Sequence, residues 1–371
     1  MIVNSFPSLS EKFLINQIVG LIKEGVDVEI FASVPPDTGK THSLFREFRL
    51  GERTIQLGIP RSSLARAWRA IPILAKNAVL HPVLVSRAFS AKRYHKAARS
   101  LKNLFFLNAF AGKHYDVIHC QFGQNGLIGS YLKDCGFAER LVVTFHGSDA
   151  NVYPKKEGND VYEYMFSRAD GVTVGTTFMA KNVMALGLDR DRLSVIPAGI
   201  ATERYPATDF ARRDRTMLLS IGRLQEVKGF EYSIAAMGIL KKRFPELRYV
   251  IVGEGSFRDR LRDAIDREGL ANSVLLAGKK DDTEISELLP QAYAFIAPSV
   301  RASNGSEEGQ GLVVQEAGMA GLPVVATATG GIPDGIVDGE TGFLVQERDA
   351  AAIAEKVRIL LEDPDAASRM G

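Results

Sequence analysis

Cysteine is scarce: Cys120 and Cys135 are the only two in 371 residues, and neither has a second Cys or a His at metal-ligand spacing. This argues against a disulfide framework and a structural zinc site and fits a reducing compartment. Long hydrophobic runs are missing as well, since no stretch reaches the eighteen uninterrupted apolar residues of a membrane-spanning helix. The N-terminus also lacks the basic-then-apolar order of a signal peptide, so the expectation is a cytoplasmic protein. Acid is absent locally. From Arg53 to Tyr115 there is no Asp or Glu, while Arg61, Arg66, Arg69, Lys76, Arg87, Lys92, Arg93, Lys96, Arg99 and Lys102 recur among aliphatic residues, Trp68 and Phe. A solvated helical face alone usually carries both signs.

What is present suffices for two domains. Hydrophobic residues make up 46% of the chain, and the net charge of +2 conceals halves of opposite sign. Residues 1–200 hold 25 Lys and Arg against 17 Asp and Glu; residues 201–371 hold 21 against 27. Short β-branched runs alternate with helical patterns throughout, which predicts an α/β chain with parallel sheets covered on both faces. Strands are expected at Val26 to Ala32, Val117 to Cys120, Leu141 to Phe145, Gly171 to Val174 and Leu193 to Ile196, preceded by Met1 to Val3. The pattern restarts at Met217 to Ile221, Tyr249 to Val252, Val274 to Leu276, Ala294 to Ala297, Val324 to Ala326 and Phe343 to Val345. Residues 198–215 lack a clear apolar period and are expected to link a first domain, 1–197, to a second, 216–371. Both edges of the chain look clipped, the second domain at its end most of all. In doubly wound sheets ligands bind beyond the carboxyl ends of the strands, here in a cleft between the domains.

The loops at those ends carry the chemistry. In Glu307-Glu308-Gly309-Gln310-Gly311-Leu312-Val313-Val314-Gln315-Glu316, two glycines let backbone N–H groups approach a ligand where an apolar helix begins. A helix start favours phosphate. Glu316 falls about 6 Å into the helix at 1.5 Å per residue, while Glu308 stays on the entry loop. Carboxylates repel phosphate, so their partners would be hydroxyls on either side of it, and the ligand so described is a nucleotide sugar. Gly222-Arg223-Leu224-Gln225-Glu226-Val227-Lys228-Gly229 follows another strand, and Arg223 with Lys228 supplies the roughly two positive charges a diphosphate needs.

Thr144-Phe145-His146-Gly147-Ser148-Asp149 places His146 at a strand end of the first domain. There it serves either as a structural residue or as a sugar-hydroxyl or transition-state contact, with a hydrogen bond to Asp149 as one way to fix its tautomer. Gly253-Glu254-Gly255 and Ala328-Thr329-Gly330-Gly331 are further glycine turns, neither matching the dinucleotide fingerprint. Asp189-Arg190-Asp191 has the spacing of an acidic metal pair but reads as solvated surface. The acid-free segment 53–115 suits an anionic membrane surface, with neutral packing helices as the alternative; nucleic acid is disfavoured because no recognition motif accompanies the charge.

The order His146-Gly147, Gly222-Arg223 with Lys228-Gly229, Glu308 to Glu316, then Gly339-Glu340-Thr341-Gly342-Phe343-Leu344-Val345 resembles the retaining glycosyltransferases of family 4 (group 1 type) over nearly the whole chain. The start, Phe6-Pro7-Ser8-Leu9-Ser10-Glu11-Lys12-Phe13, is similar to that of members building bacterial exopolysaccharide, including the colanic-acid type. The resemblance implies a GT-B fold, with two doubly wound Rossmann-like domains facing a central cleft, the first on the acceptor side and the second binding the donor. It implies that Glu316 holds the ribose of a UDP- or GDP-sugar, and that Arg223 and Lys228 hold the diphosphate. Gly309, Gln310, Gly311, Leu312 and Val313 complete the donor site, and Glu308 and His146 contact the transferred sugar.

A metal-independent hexosyl transfer with retention is implied, in which the leaving phosphate helps take the acceptor's proton. The acceptor would be a saccharide, lipid-linked, and the enzyme peripheral at the inner face of the plasma membrane. A soluble synthase of the sucrose or glycogen type, or a clipped non-catalytic binding module, are the alternatives. The chain departs from the family in three places: Ser5, Ser8 and Ser10 stand near the first turn instead of paired glycines, Gly311 stands where relatives often have Pro, and a final helix that crosses back to the first domain is missing.

Overall fold

The computed structural model describes residues 1–8, 11–36, 43–202, 205 and 209–371. Ser10 and residues 203, 204 and 206–208 of the expected linker lie outside the described residues. The chain divides into two compact units, Met1–Gly199 and Ile200–Gly371.

Unit 1 is a parallel sheet of seven strands: β1 Ile2–Ser5, β2 Ile30–Val34, β3 Thr54–Gln56, β4 Tyr115–Gln121, β5 Ala138–Phe145, β6 Gly171–Val174 and β7 Leu193–Val195. Their spatial order is β3-β2-β1-β4-β5-β6-β7, so the direction of winding reverses between β1 and β4. Apolar clusters cover both faces. One gathers Tyr94 of helix Ala91–Arg99, Phe106 of helix Lys102–Phe110 and Tyr131 of helix Gly123–Asp134 with Phe145 of β5; the other sets Leu14, Ile15 and Ile18 of helix Lys12–Lys23 against Val3 and Ile30.

Two strands differ from expectation. The β2 ladder pairs Phe31 with Ile2 and Val34 with Ser5, which moves the strand toward Val34 and leaves Val26 exposed. Alternation at Val26-Asp27-Val28-Glu29 resembled a strand, but no neighbour pairs with its first half. β3 was not foreseen; three residues at the sheet edge, paired only to β2, are too few to show a period.

Unit 2 has six parallel strands: β8 Met217–Ile221, β9 Arg248–Val252, β10 Val274–Leu276, β11 Ala294–Ala297, β12 Val324–Thr327 and β13 Gly342–Val345. The order β10-β9-β8-β11-β12-β13 reverses between β8 and β11. Every residue of β11 and β12 is buried, as strands covered on both faces require. Local signals agree with this: Asp281 and Glu284 form a capping box on helix Asp282–Leu288, and Asp349 caps helix Ala350–Glu362. Arg213, from the segment expected as linker, is buried in this unit and donates to the carbonyls of Leu289, Pro290 and Ala292.

Candidate active site

In unit 2 the reversal of winding brings the loop after β8 beside the loop after β11, and these two loops hold the predicted residues. The Val300 N–H donates to the Val227 carbonyl at 2.9 Å, and Glu226 accepts from both the N–H and the hydroxyl of Ser303. So joined, the loops place Lys228 Nζ 2.7 Å from Glu308 Oε1, with side chains only 15% and 14% exposed. Arg223 is exposed, and among the described residues no carboxylate pairs with it.

The backbone of Glu308 is fixed from below. Gly331 donates to its carbonyl at 2.9 Å, and a Cβ on Gly330 (φ +57°) would stand 2.3 Å from that oxygen. Only glycine allows so close an approach. Gly311, at φ +71°, then turns the chain into helix Leu312–Met319. Glu316 is buried one turn in, Leu312 and Val313 are partly buried on the first turn, and Gln310 donates to Gln315 at 3.0 Å; Gly309 lies on the partly buried loop between. Lys228 and Glu308 neutralise each other, so the net positive character at this end comes from Arg223 and the helix start, whose first N–H groups lack intrahelical acceptors.

His146 belongs to unit 1, immediately after β5. Its ring lies between those of Phe13 and Phe122, each 4.7 Å between centroids, and Nε2 is 2.8 Å from Gln121 Oε1. An amide oxygen can only accept, so the proton of the neutral ring is assigned to Nε2. The Gln121 amide donates onward to Gln17 at 2.8 Å. Beside them His119 meets Thr144 at 2.7 Å, and Thr144 meets Thr173 at 2.6 Å. The tautomer of His146 is thus set by Gln121 and not by Asp149. Asp149 instead accepts from the backbone N–H groups of Gly123, His146 and Gly147, tying the loop to the start of helix Gly123–Asp134.

Burial, and secondarily His119, pushes the His146 pKa down to about 3; burial and the nearby amino terminus push His119 down to about 4. Both rings are neutral at pH 7. Burial raises the Asp149 carboxyl against the pull of its backbone donors.

Residues 10–204 match the family described as Glycosyltransferase Family 4, and residues 202–371 match Glycosyl transferases group 1. The chain belongs to this glycosyltransferase family. The glycosyltransferase is 30% identical over 366 residues to WcaL of Escherichia coli (strain K12), named for colanic acid biosynthesis, covering 95% of this chain and 87% of WcaL. It is 31% identical over 362 residues to the amylovoran biosynthesis glycosyltransferase AmsK of Erwinia amylovora, covering 94% and 87%. Among solved structures it resembles Anabaena Alr3699/HepE in complex with UDP, with a TM-score of 0.69 at 17% identity over 100% of this chain and 92% of that one. That likeness is one of fold, and the fold of the glycosyltransferase is GT-B, built of two Rossmann-like domains.

Several positions escaped sequence reasoning. Gln121, Gln17 and Phe122 belong to no motif; a strand end followed by a helix was the only signal available for Gln121 and Phe122, and Gln17, inside helix Lys12–Lys23, had none. Gly330 had a visible signal, the paired glycine turn, but its partner Glu308 did not follow from it. Asp189 lies in an exposed turn and pairs with Arg192 at 2.8 Å. Ser5 donates to the Pro35 carbonyl. Among the described residues no group of three His, Cys, Asp or Glu side chains is placed to hold a metal, and no helix is long and apolar enough to cross a membrane.

Proposed function

We propose that this glycosyltransferase moves a hexosyl group from a UDP- or GDP-sugar to a lipid-linked saccharide during exopolysaccharide assembly, with retention and without a metal, at the anionic inner face of the plasma membrane. The observation that carries the reading is the Lys228 to Glu308 pair at the reversal point of unit 2, with exposed Arg223 beside it and Glu316 one turn into the helix. The names of WcaL and AmsK, the UDP in HepE and the acid-free segment 53–115 support it.

In this reading the diphosphate binds Arg223, Lys228 and the N–H groups from Gly309 to Val313. Glu316 accepts hydrogen bonds from the ribose diol. An arriving phosphate competes for Lys228, and the freed oxygen of Glu308 accepts from a hydroxyl of the hexose. Neutral His146, its Nε2–H held by Gln121, offers Nδ1 to a second hydroxyl. The bond from the anomeric carbon to phosphate breaks as the bond to the acceptor oxygen forms on the same face, and the acceptor's proton passes to the departing phosphate oxygen. Positioning and charge stabilisation supply most of the acceleration.

A thermal-shift screen of UDP-, GDP- and ADP-sugars tests the donor, because a ligand that binds only the folded state raises the melting temperature. One of the first two should do so with chelator present, and Glu316→Ala should abolish the shift. No shift with any nucleotide sugar would refute the reading, as would a product of inverted anomeric configuration by NMR.

A further inference from the structure

We propose that the outward face of helix Ser63–Leu80, continued through helix Pro82–Ala88, is an insertion surface whose apolar side chains enter the headgroup layer of an anionic phospholipid bilayer. The proposal rests on the membrane reading above and adds which side chains leave water.

Leu64, Trp68, Ile71 and Val79 follow one another by four, three and eight residues, so at about 100° per residue they share one side of the helix. That side faces solvent: Leu64 is 76% exposed, Trp68 74% and Val79 82%. The opposite side is the packed one. Ala70 and Asn77 are buried, Ile73 and Leu74 rest on the unit 1 core, and the Asn77 amide donates to the Ile73 carbonyl. A surface helix ordinarily reverses this, with charge outward and apolar groups inward. Past the turn at His81, exposed Val83 and Phe89 extend the same apolar character. Large apolar side chains gathered on the solvent side of one helix mark an interaction site.

Charge selects the partner. Arg69 and Lys76, seven residues apart, and Arg87 on the second helix are exposed residues beside the stripe; Arg69 also donates to the Gly58 carbonyl and Arg87 to that of Asp134. Long aliphatic stems let such residues keep their charge at lipid phosphate while the neighbouring apolar groups go deeper. Between Arg53 and Tyr115 no acid offsets them. Of the acids on neighbouring elements, Glu157 pairs with Lys96 at 3.1 Å and Asp134 with Arg168 at 2.7 Å. A protein partner would have to supply an acidic surface with an apolar centre; an anionic bilayer presents both layers at every point. Trp68 has the amphipathic ring favoured at that boundary.

Trp68 is the sole tryptophan, so the emission of the unmodified chain reports on this face alone. With vesicles of phosphatidylglycerol and phosphatidylcholine, its emission should move to shorter wavelength and be quenched by lipids brominated high in the acyl chain. Val79→Asp should lower partitioning at least about tenfold, while the nucleotide-sugar thermal shift stays unchanged. Vesicle binding with Trp68 emission still that of exposed indole would overturn insertion and leave the membrane reading standing. Absence of vesicle binding would overturn both. A shift that grows with protein concentration in the absence of lipid would also overturn the proposal, because a second copy would then be the occupant. The donor reading fails or stands separately, on the thermal shift without vesicles.

Discussion

The two units carry the same doubly wound sheet but finish its carboxyl end with opposite materials. Unit 2 uses ions: Lys228 against Glu308, with Arg223 exposed on the same loop and, among the described residues, paired with no carboxylate. Unit 1 uses neutral groups: His146 between two aromatic rings, hydrogen-bonded to Gln121, with His119, Thr144 and Thr173 in a chain alongside. The difference teaches what each end can bind. Fixed charge suits a diphosphate, whereas a neutral imidazole held by an amide can take a hydroxyl without attracting a stray anion.

The contrast can be broken at its strongest point first. Lys228→Ala should abolish the donor-induced thermal shift and lower transfer on the order of 10²- to 10³-fold, the usual cost of losing one group that stabilises developing charge. Gly330→Ala should come next. Its Cβ meets the Glu308 carbonyl, so unfolding experiments should show a loss of about 1–3 kcal/mol, with weaker donor binding besides. Either variant behaving as wild type would remove the ionic end from the mechanism.

Gln121→Leu sharpens the comparison from the other side. Steady-state kinetics should show kcat down about tenfold, with the thermal shift by donor intact, since the ring is misplaced but the ionic end is not. Loss of donor binding in this variant would erase the division of labour.

The effect spread most thinly, a few tenths of a kcal/mol per tenth of a pH unit, is in pH. Below the ordinary histidine value of 6.5 the unfolded chain takes up protons that folded His119 and His146 refuse until about pH 4 and 3. The unfolded state then binds more protons, so stability falls with acid by up to about 1.4 kcal/mol per pH unit for each ring. Asp149, raised by burial, titrates with the opposite sign. Melting temperatures between pH 7.5 and 5.5 should decline, and less steeply in His119→Gln; a flat wild-type profile would contradict the neutral network.

Much of this was legible beforehand. Strands such as Ala294–Ala297 and Met217–Ile221 announce themselves because burial on both faces demands mostly apolar residues. In the loop 307–316 the sequence showed where the helix starts, since the apolar run begins directly after Gly311. The edge strand Thr54–Gln56 was not legible, nor was Gln121: one is too short for a period, and the other is bonded to His146, just past the end of the neighbouring strand.

By itself the sequence determined the two parallel sheets, the acid-free basic segment and which side chains the loops carry, because these follow from spacing and residue type within short windows. The tertiary structure alone decided that Lys228 meets Glu308, that Gln121 and not Asp149 orients His146, and that helix Ser63–Leu80 turns its apolar side to solvent. Those facts depend on which strand lies beside which, and on which side of a helix the core claims. Strand order and helix orientation come from packing between distant segments, which no local pattern encodes.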